Sequence, residues 1–393
     1  MEAVRIQPVD VLFLRGNRSF ADSNHADAVM PPWPSVFSGA LRARMIEDAR
    51  AAESFHAGTL AGPLAEVVGT SPSELGAFRL GFVCLERGVD ASDVSVRRDS
   101  DATRRQLLFA APADLVVSDA DQISRLHPTA LAELGVESSN ALATVPVLRT
   151  SVASKATSGC WLTSEGMRAY LRGGTPESSQ VVRSSELWKS DDRLGIALDV
   201  ERRSAREGML YTTQTVALAS TASFVVGVHG AGGSVPTTGL LRLGGDGRGA
   251  ALSSWAQDGQ PPWDHVPNGS RFALVLATPG IFPGGWILPG TRRDGTNWVF
   301  TFGKLRARLV SAVVPRNEVV SGWDLAQRRP KPAKRSVPAG AVYWLEHLPG
   351  SDHGELARIW SEGLWSDEHG VDAQRRAEGF NSVWLADWSA TED

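Results

Sequence analysis

Arg15 and Arg18 sit in a turn, LFLRGNRSF, and are followed by His25 and then by Arg42 and Arg44 in PPWPSVFSGALRARM. Guanidinium groups are always charged and grip phosphate oxygens in pairs, so side chains in this order suit a polyanion held along its backbone. The imidazole between them titrates near neutrality and could transfer a proton or contact a phosphate or base. Unpaired RNA, with its phosphates and unstacked bases exposed, is the ligand such a set fits.

Further on, Gly239 to Gly249 holds five glycines with Arg242 and Arg248 between them. Without a Cβ, backbone N–H groups can approach a phosphate closely, and the plainer alternative is a hairpin turn that needs positive φ. The spacing of GGDGRGA followed by ALSSW does not match a dinucleotide-binding fingerprint, which must follow a strand and open a helix. A second glycine-rich loop surrounds Trp286, whose ring either stacks on a base or packs on its own domain. The run Arg328, Arg329, Lys331, Lys334 and Arg335 is broken by prolines, which makes it an extended cationic segment rather than a helix. The cluster Arg97, Arg98, Arg104 and Arg105 is diluted by Asp99 and Asp101.

Other chemistries lack their signatures. Eight histidines form no H-x-x-x-H or H-E-x-x-H pair, so no metal and no cofactor is expected. Cys84 and Cys160 are far apart and read as buried thiols. No G-x-S-x-G elbow or paired-carboxylate motif stands out.

The elements that must position these residues follow from periodicity. Val9 to Leu14 reads as a mostly buried strand leading into the Arg15 turn. Beyond the Pro31-Pro32-Trp33-Pro34 brake, Ser35 is expected to cap a helix whose stripe Val36, Phe37, Ala40, Leu41 and Met45 faces the core, with Arg42 and Arg44 off it. Strands over 78–88 and within 104–118 complete a β-α-β-β order that is compatible with a ferredoxin-like unit. After the polar stretch 151–192, with one helix-like patch at 165–171, come strand patterns at 193–199, 209–218, 222–230 and 271–282 and a helix at 354–365.

A chain of 393 residues suggests two domains, here 1–190 and 191–393. Its net charge of −4 rules out coating nucleic acid by bulk positive charge, so any grip is local. Of the 40 basic residues 35 are arginine, which suits phosphate contacts but is equally the mark of a GC-rich genome. No apolar run approaches the ~20 residues of a membrane span, and MEAVRIQPVD does not have the layout of a secretion signal, so a cytoplasmic protein with no membrane contact is expected.

R-x-x-R-S-F, PP-x-P and F-S-G-A-L-R together resemble the opening of the RAMP superfamily, RNA-binding subunits of CRISPR effector complexes. LGIALDVERRSAREGMLYTT, LLRLGGDGRGA, ATPGIFPGGWILPG, VSGWD with RPKPAKRSVPAGAVYWLE, and the closing GFNSVW are similar, in that order, to the third subunit of the type III-B Cmr complex. Asp246 stands where a Glu is more usual in the glycine loop. The resemblance implies an α+β protein of two ferredoxin-like (RRM-like) domains with insertions. It also implies a non-catalytic role, holding the repeat-derived 5′ tag of the CRISPR RNA. Its implied partners are the polymerase-like large subunit and the first copy of the backbone RAMP subunit.

The candidate RNA-binding set is Arg15, Arg18, His25, Ser38, Arg42, Lys155, Gly244, Gly245, Gly247, Arg248 and Trp286. Two rivals stay open. One is a RAMP endoribonuclease processing precursor CRISPR RNA with His25 as its proton-transfer group; the other is a purely structural bridge whose basic residues are surface charge.

Overall fold

The computed structural model describes residues 1–14, 25–26, 29–88, 105–119, 121–138, 142–150, 157–199, 201–255, 265–365 and 371–388. Arg15, Arg18, Lys155, Arg97, Arg98 and Arg104 lie outside the described residues. The chain is mixed α and β with strands dominant, 41% against 18% helix, in line with its Gly- and Trp-rich composition. Two compact units interleave along it: Met1–Thr103 with Ser185–Ala256 and Val319–Ala333, and Arg104–Ser184 with Gln257–Glu318 and Lys334–Asp393.

In the first unit, five antiparallel strands lie side by side in the order Gly239–Arg242, Gly249–Ser254, Glu2–Pro8, Ala222–His229, Arg79–Gly88. The opening strand is thus Glu2–Pro8, not the expected Val9 to Leu14. In EAVRIQP the fully buried Val4 and Ile6 alternate with Arg5. The chain then leaves the ladder, with Val9 66% exposed. Val11 to Leu14 are all buried, in a connector packed on both sides. The period-2 reading mistook continuous burial for a pleat.

The helix Pro34–Asp48 lies on one face of this sheet, Phe37 meeting Phe224 edge to face at 5.0 Å. Its start also corrects the expectation: Trp33 is the N-cap and its side chain makes no capping bond, and Pro34 occupies the first turn ahead of Ser35. Proline's fixed φ begins the helix without a hydroxyl cap. Phe37, Leu41 and Met45 are buried as expected, joined by Ser38 and Ile46. On the opposite face Glu86 is buried and takes Arg5 at 2.6 Å, Ser223 at 3.2 Å and the Trp255 indole at 3.1 Å. Burial pushes the neighbouring Cys84 thiol up, as an inert core thiol requires.

The ribbon Trp188–Leu198 with Ala205–Leu218 also belongs to this unit, paired through eleven-residue and fourteen-residue strands. The sequence pattern at 193–199 is the outer part of its first strand, and that at 209–218 covers most of its second down to the base. A third, two-residue strand, His25–Ala26, runs parallel to Thr212–Thr213.

In the second unit a six-stranded antiparallel sheet runs Thr291–Asp294, Asn297–Phe302, Leu305–Val313, Val342–His347, Arg271–Leu276, Val383–Asp387. One face carries Phe272, Phe300, Leu309 and Leu345 under Leu356 and Ile359 of the helix Glu355–Glu362. On the other, Trp384 meets Phe109 at 5.6 Å. Thr163 caps the helix Ser164–Leu171, accepting from Gly166 N–H at 3.2 Å. That helix buries Tyr170, which donates to Asp114 at 2.7 Å while Arg125 lies over its ring at 4.2 Å. Burial raises the Asp114 carboxyl, and Arg125 works against that rise. No helix of the described residues is long and apolar enough to cross a membrane.

Candidate nucleic-acid interface

The glycine-rich loop closes the hairpin between Gly239–Arg242 and Gly249–Ser254. Leu243 donates to the Arg248 carbonyl at 2.8 Å and Arg248 to the Gly245 carbonyl at 3.3 Å. Gly244, Asp246 and Gly247 take φ of +79°, +58° and +64°, the left-handed region that glycine enters freely and aspartate tolerates. A Cβ on Gly244 would sit 2.7 Å from the Phe13 carbonyl oxygen, so the loop touches that backbone directly. Gly245 N–H donates to the same oxygen at 2.8 Å. A Cβ on Gly247 would meet nothing within 4 Å, so its outer face is open.

These contacts explain the connector. Leu12 exchanges both backbone bonds with Val216 of the ribbon, at 2.8 and 2.9 Å, and Phe13 receives the glycine loop. Val29 N–H then returns to the Leu14 carbonyl at 3.1 Å. The points where the chain leaves toward Arg15 and comes back after His25 are therefore joined, beside the glycine loop. His25 itself is placed by its backbone pairing with Thr212. The connector that receives the glycine loop and the strand His25–Ala26 thus both pair with the second strand of the ribbon, at Val216 and at Thr212–Thr213.

Other candidates make contacts within the protein. Arg42 donates to the Val68 carbonyl at 2.6 Å and caps the C-terminus of the helix Pro63–Val68, where a cation also meets the negative helix end. Ser38 is only 2% exposed, inside the helix's packed face. Arg44 bonds Asp48 at 2.6 Å and the Leu240 carbonyl, tying helix to hairpin. Arg248 pairs with Asp10 at 2.8 Å, and Arg193 approaches Asp10 at 3.7 Å and Asp191 at 3.1 Å. Arg248 of the loop and Arg193 of the ribbon are hence matched by carboxylates. The Arg248 Nε, buried, has no partner among the described residues. Trp286 belongs to the second unit, packed against its core, and its carbonyl accepts from Tyr343 Oη at 2.6 Å.

Sequence reasoning passed over two features. One is the ribbon's apolar stripe: Leu194, Ile196 and Leu198, alternate residues of one strand face, are 74%, 51% and 62% exposed. The strand pattern was read there, and its exposure was not. The other is the set of short helices Ala52–Ala57 and Pro63–Val68, the second of which Arg42 serves. Among the described residues no three His, Cys, Asp or Glu side chains are grouped to hold a metal ion.

The fold is similar to a chain of the type III-B Cmr-beta complex bound to cognate target RNA and AMPPnP, with a TM-score of 0.52, 13% identity, and coverage of 97% of this chain and 96% of that one. A chain of Cmr-beta bound to cognate target RNA gives 0.51 and 12%, with the same coverage of 97% and 96%. At such identity the likeness speaks for the fold alone. No curated protein matches significantly. The model of the CRISPR-associated Cas_Cmr3 family, however, matches residues 4–388, from the first sheet strand to the last. With that span, the chain belongs to the Cmr3 family of CRISPR-associated proteins, a subunit family of the type III-B Cmr complex.

Proposed function

We propose that this chain is a non-catalytic subunit that holds the repeat-derived 5′ tag of the CRISPR RNA at the base of the ribbon, and bridges the polymerase-like large subunit to the first backbone RAMP subunit. The observation that carries this reading is the glycine loop seated on the Phe13 carbonyl, with Gly247 open and the exit toward Arg15 and Arg18 closed by Leu14 and Val29. Backbone donors with arginines nearby in the chain position a phosphate without reading sequence, which the guide does by pairing. The similar chains come from complexes bound to target RNA, which agrees with an RNA-handling role. His25 serves there as a phosphate or base contact, not as a proton-transfer group.

The two ferredoxin-like domains expected over 1–190 and 191–393 stay part of this proposal. Support comes from the first unit. Its strands Glu2–Pro8, Arg79–Gly88, Ala222–His229 and Gly249–Ser254 lie in the order 4-1-3-2 with the helix Pro34–Asp48 between the first two. That strand order with its one helix supports a ferredoxin-like core drawn from both sides of that boundary, while the strand Gly239–Arg242 stands where the second helix of such a unit would be.

Gly247→Asn tests the site. Asparagine tolerates the left-handed backbone, so the fold is kept while the open face gains a side chain. Binding of tag-bearing RNA by the assembled complex should fall about tenfold, the scale of one charge-assisted contact. Unchanged affinity with normal assembly would remove the loop from the site.

A further inference from the structure

The segment Val320 to Lys331 forms a small tongue of the first unit. Trp323 pairs across it with Pro330 and Asp324 with Arg329. Lys331 N–H donates to the Gly322 carbonyl at 2.8 Å and Ser321 Oγ to the Lys331 carbonyl at 2.8 Å, which closes its base. At its tip Asp324 accepts from Gln327 N–H at 2.9 Å, and Arg328 takes φ of +51°. Asp324 is therefore committed to the turn. The tongue presents Trp323 at 59% and Leu325 at 47% exposure, with Arg328 and Arg329 both exposed. An indole left this open, on a framework pinned at both ends, gains nothing for the core. Aromatic faces beside arginines are the shared device of proteins that bind single-stranded nucleic acid, where bases stack and phosphates pair.

We propose that this tongue is a second RNA contact, in which one unpaired base stacks on Trp323 and Arg328 and Arg329 hold the flanking phosphates. Two exposed guanidiniums favour a polyanion, and the planar indole favours one that carries bases over an acidic peptide. Trp323 and Pro330 share one face of the tongue, so the base would enter from that side. The inference rests on the RNA-holding reading above and adds a contact apart from the glycine loop.

The test measures binding of the full chain to a fluorescent oligouridine and to an abasic oligomer with the same phosphates. Trp323→Ala should lower affinity for oligouridine about tenfold and leave the abasic oligomer unchanged, while Trp323→Phe keeps most of the binding. Arg328→Gln with Arg329→Gln should weaken both and reduce the salt slope by about 1.4, two phosphates at about 0.7 each. Equal binding of oligouridine by wild type and Trp323→Ala overturns the tongue, and so does an equal loss on the abasic oligomer. If Gly247→Asn loses RNA while Trp323→Ala does not, the tongue falls and the RNA-holding reading stands. Failure of the wild-type chain to bind either oligomer at low salt sinks both. Retained RNA affinity with loss of another subunit from the complex would make the tongue a protein-docking knob instead.

Discussion

At the scale of residues, location decided which cations are available. Arg42 was read as an RNA contact because it falls off the apolar stripe, yet its guanidinium closes the end of a helix that the sequence did not reveal. Arg42→Ala is therefore expected to lower stability by about 1 to 3 kcal/mol, the range for a hydrogen bond to a charged group and the acceptor it abandons. Urea unfolding should register that loss, while the salt slope of RNA binding stays at its wild-type value. His347 carries a second expectation. Its ring lies on His353 at 3.6 Å, and burial, with His353 adding to it, lowers its pKa from 6.5 to about 4. The unfolded chain then takes up a proton below 6.5 that the native ring refuses, so this site's contribution to stability falls with pH until about 4. His347→Gln should flatten that part of a stability profile measured by chemical unfolding; an unaltered profile would show that the ring titrates normally.

Among the elements, the ribbon is the least supported. Beyond the short strand His25–Ala26 on Thr212–Thr213, its outer part has no further strand beside it among the described residues and exposes Leu194, Ile196 and Leu198, whereas Glu2–Pro8 is paired on both edges and roofed by a helix. Two-stranded ribbons are marginal without a third strand or a packed face. Amide hydrogens of residues 194–198 should exchange well before those of Val4, Ile6 and Val226, as mass spectrometry of the isolated chain would read. Equal protection would show that the ribbon is covered in solution. The glycine hairpin belongs to the stable class, because Arg44 and the Phe13 carbonyl hold it from two directions.

For the whole molecule, sheet pairing overrides chain order. Glu2–Pro8 lies between residues 222–229 and 249–254, so a fragment of residues 1–190 would leave both edges of its first strand unpaired. That fragment is expected to give poorly dispersed NMR spectra and no cooperative melt, while the full chain melts cooperatively. A folded fragment would refute the dependence.

Much was legible in the sequence. The strands near 79–88, 222–229 and 271–276, the helices at 164–171 and 355–362 and the family motifs all rest on local periodicity or local identity, which a chain carries wherever it goes. The expectation of phosphate-type chemistry drew on the same local information, the kinds of residue and their spacing. The first strand was misplaced because Val11 to Leu14 are buried from two sides by segments some two hundred residues away, Val216 and Gly245. Ser38, Arg42 and Trp286 were read as ligand contacts from side-chain chemistry, which a sequence shows, whereas their packing and hydrogen-bond partners it does not. Only the tertiary structure brought the glycine loop against the exit to Arg15, turned Arg42 to a carbonyl and left Trp323 in solvent, since each depends on long-range pairing that no window of sequence contains.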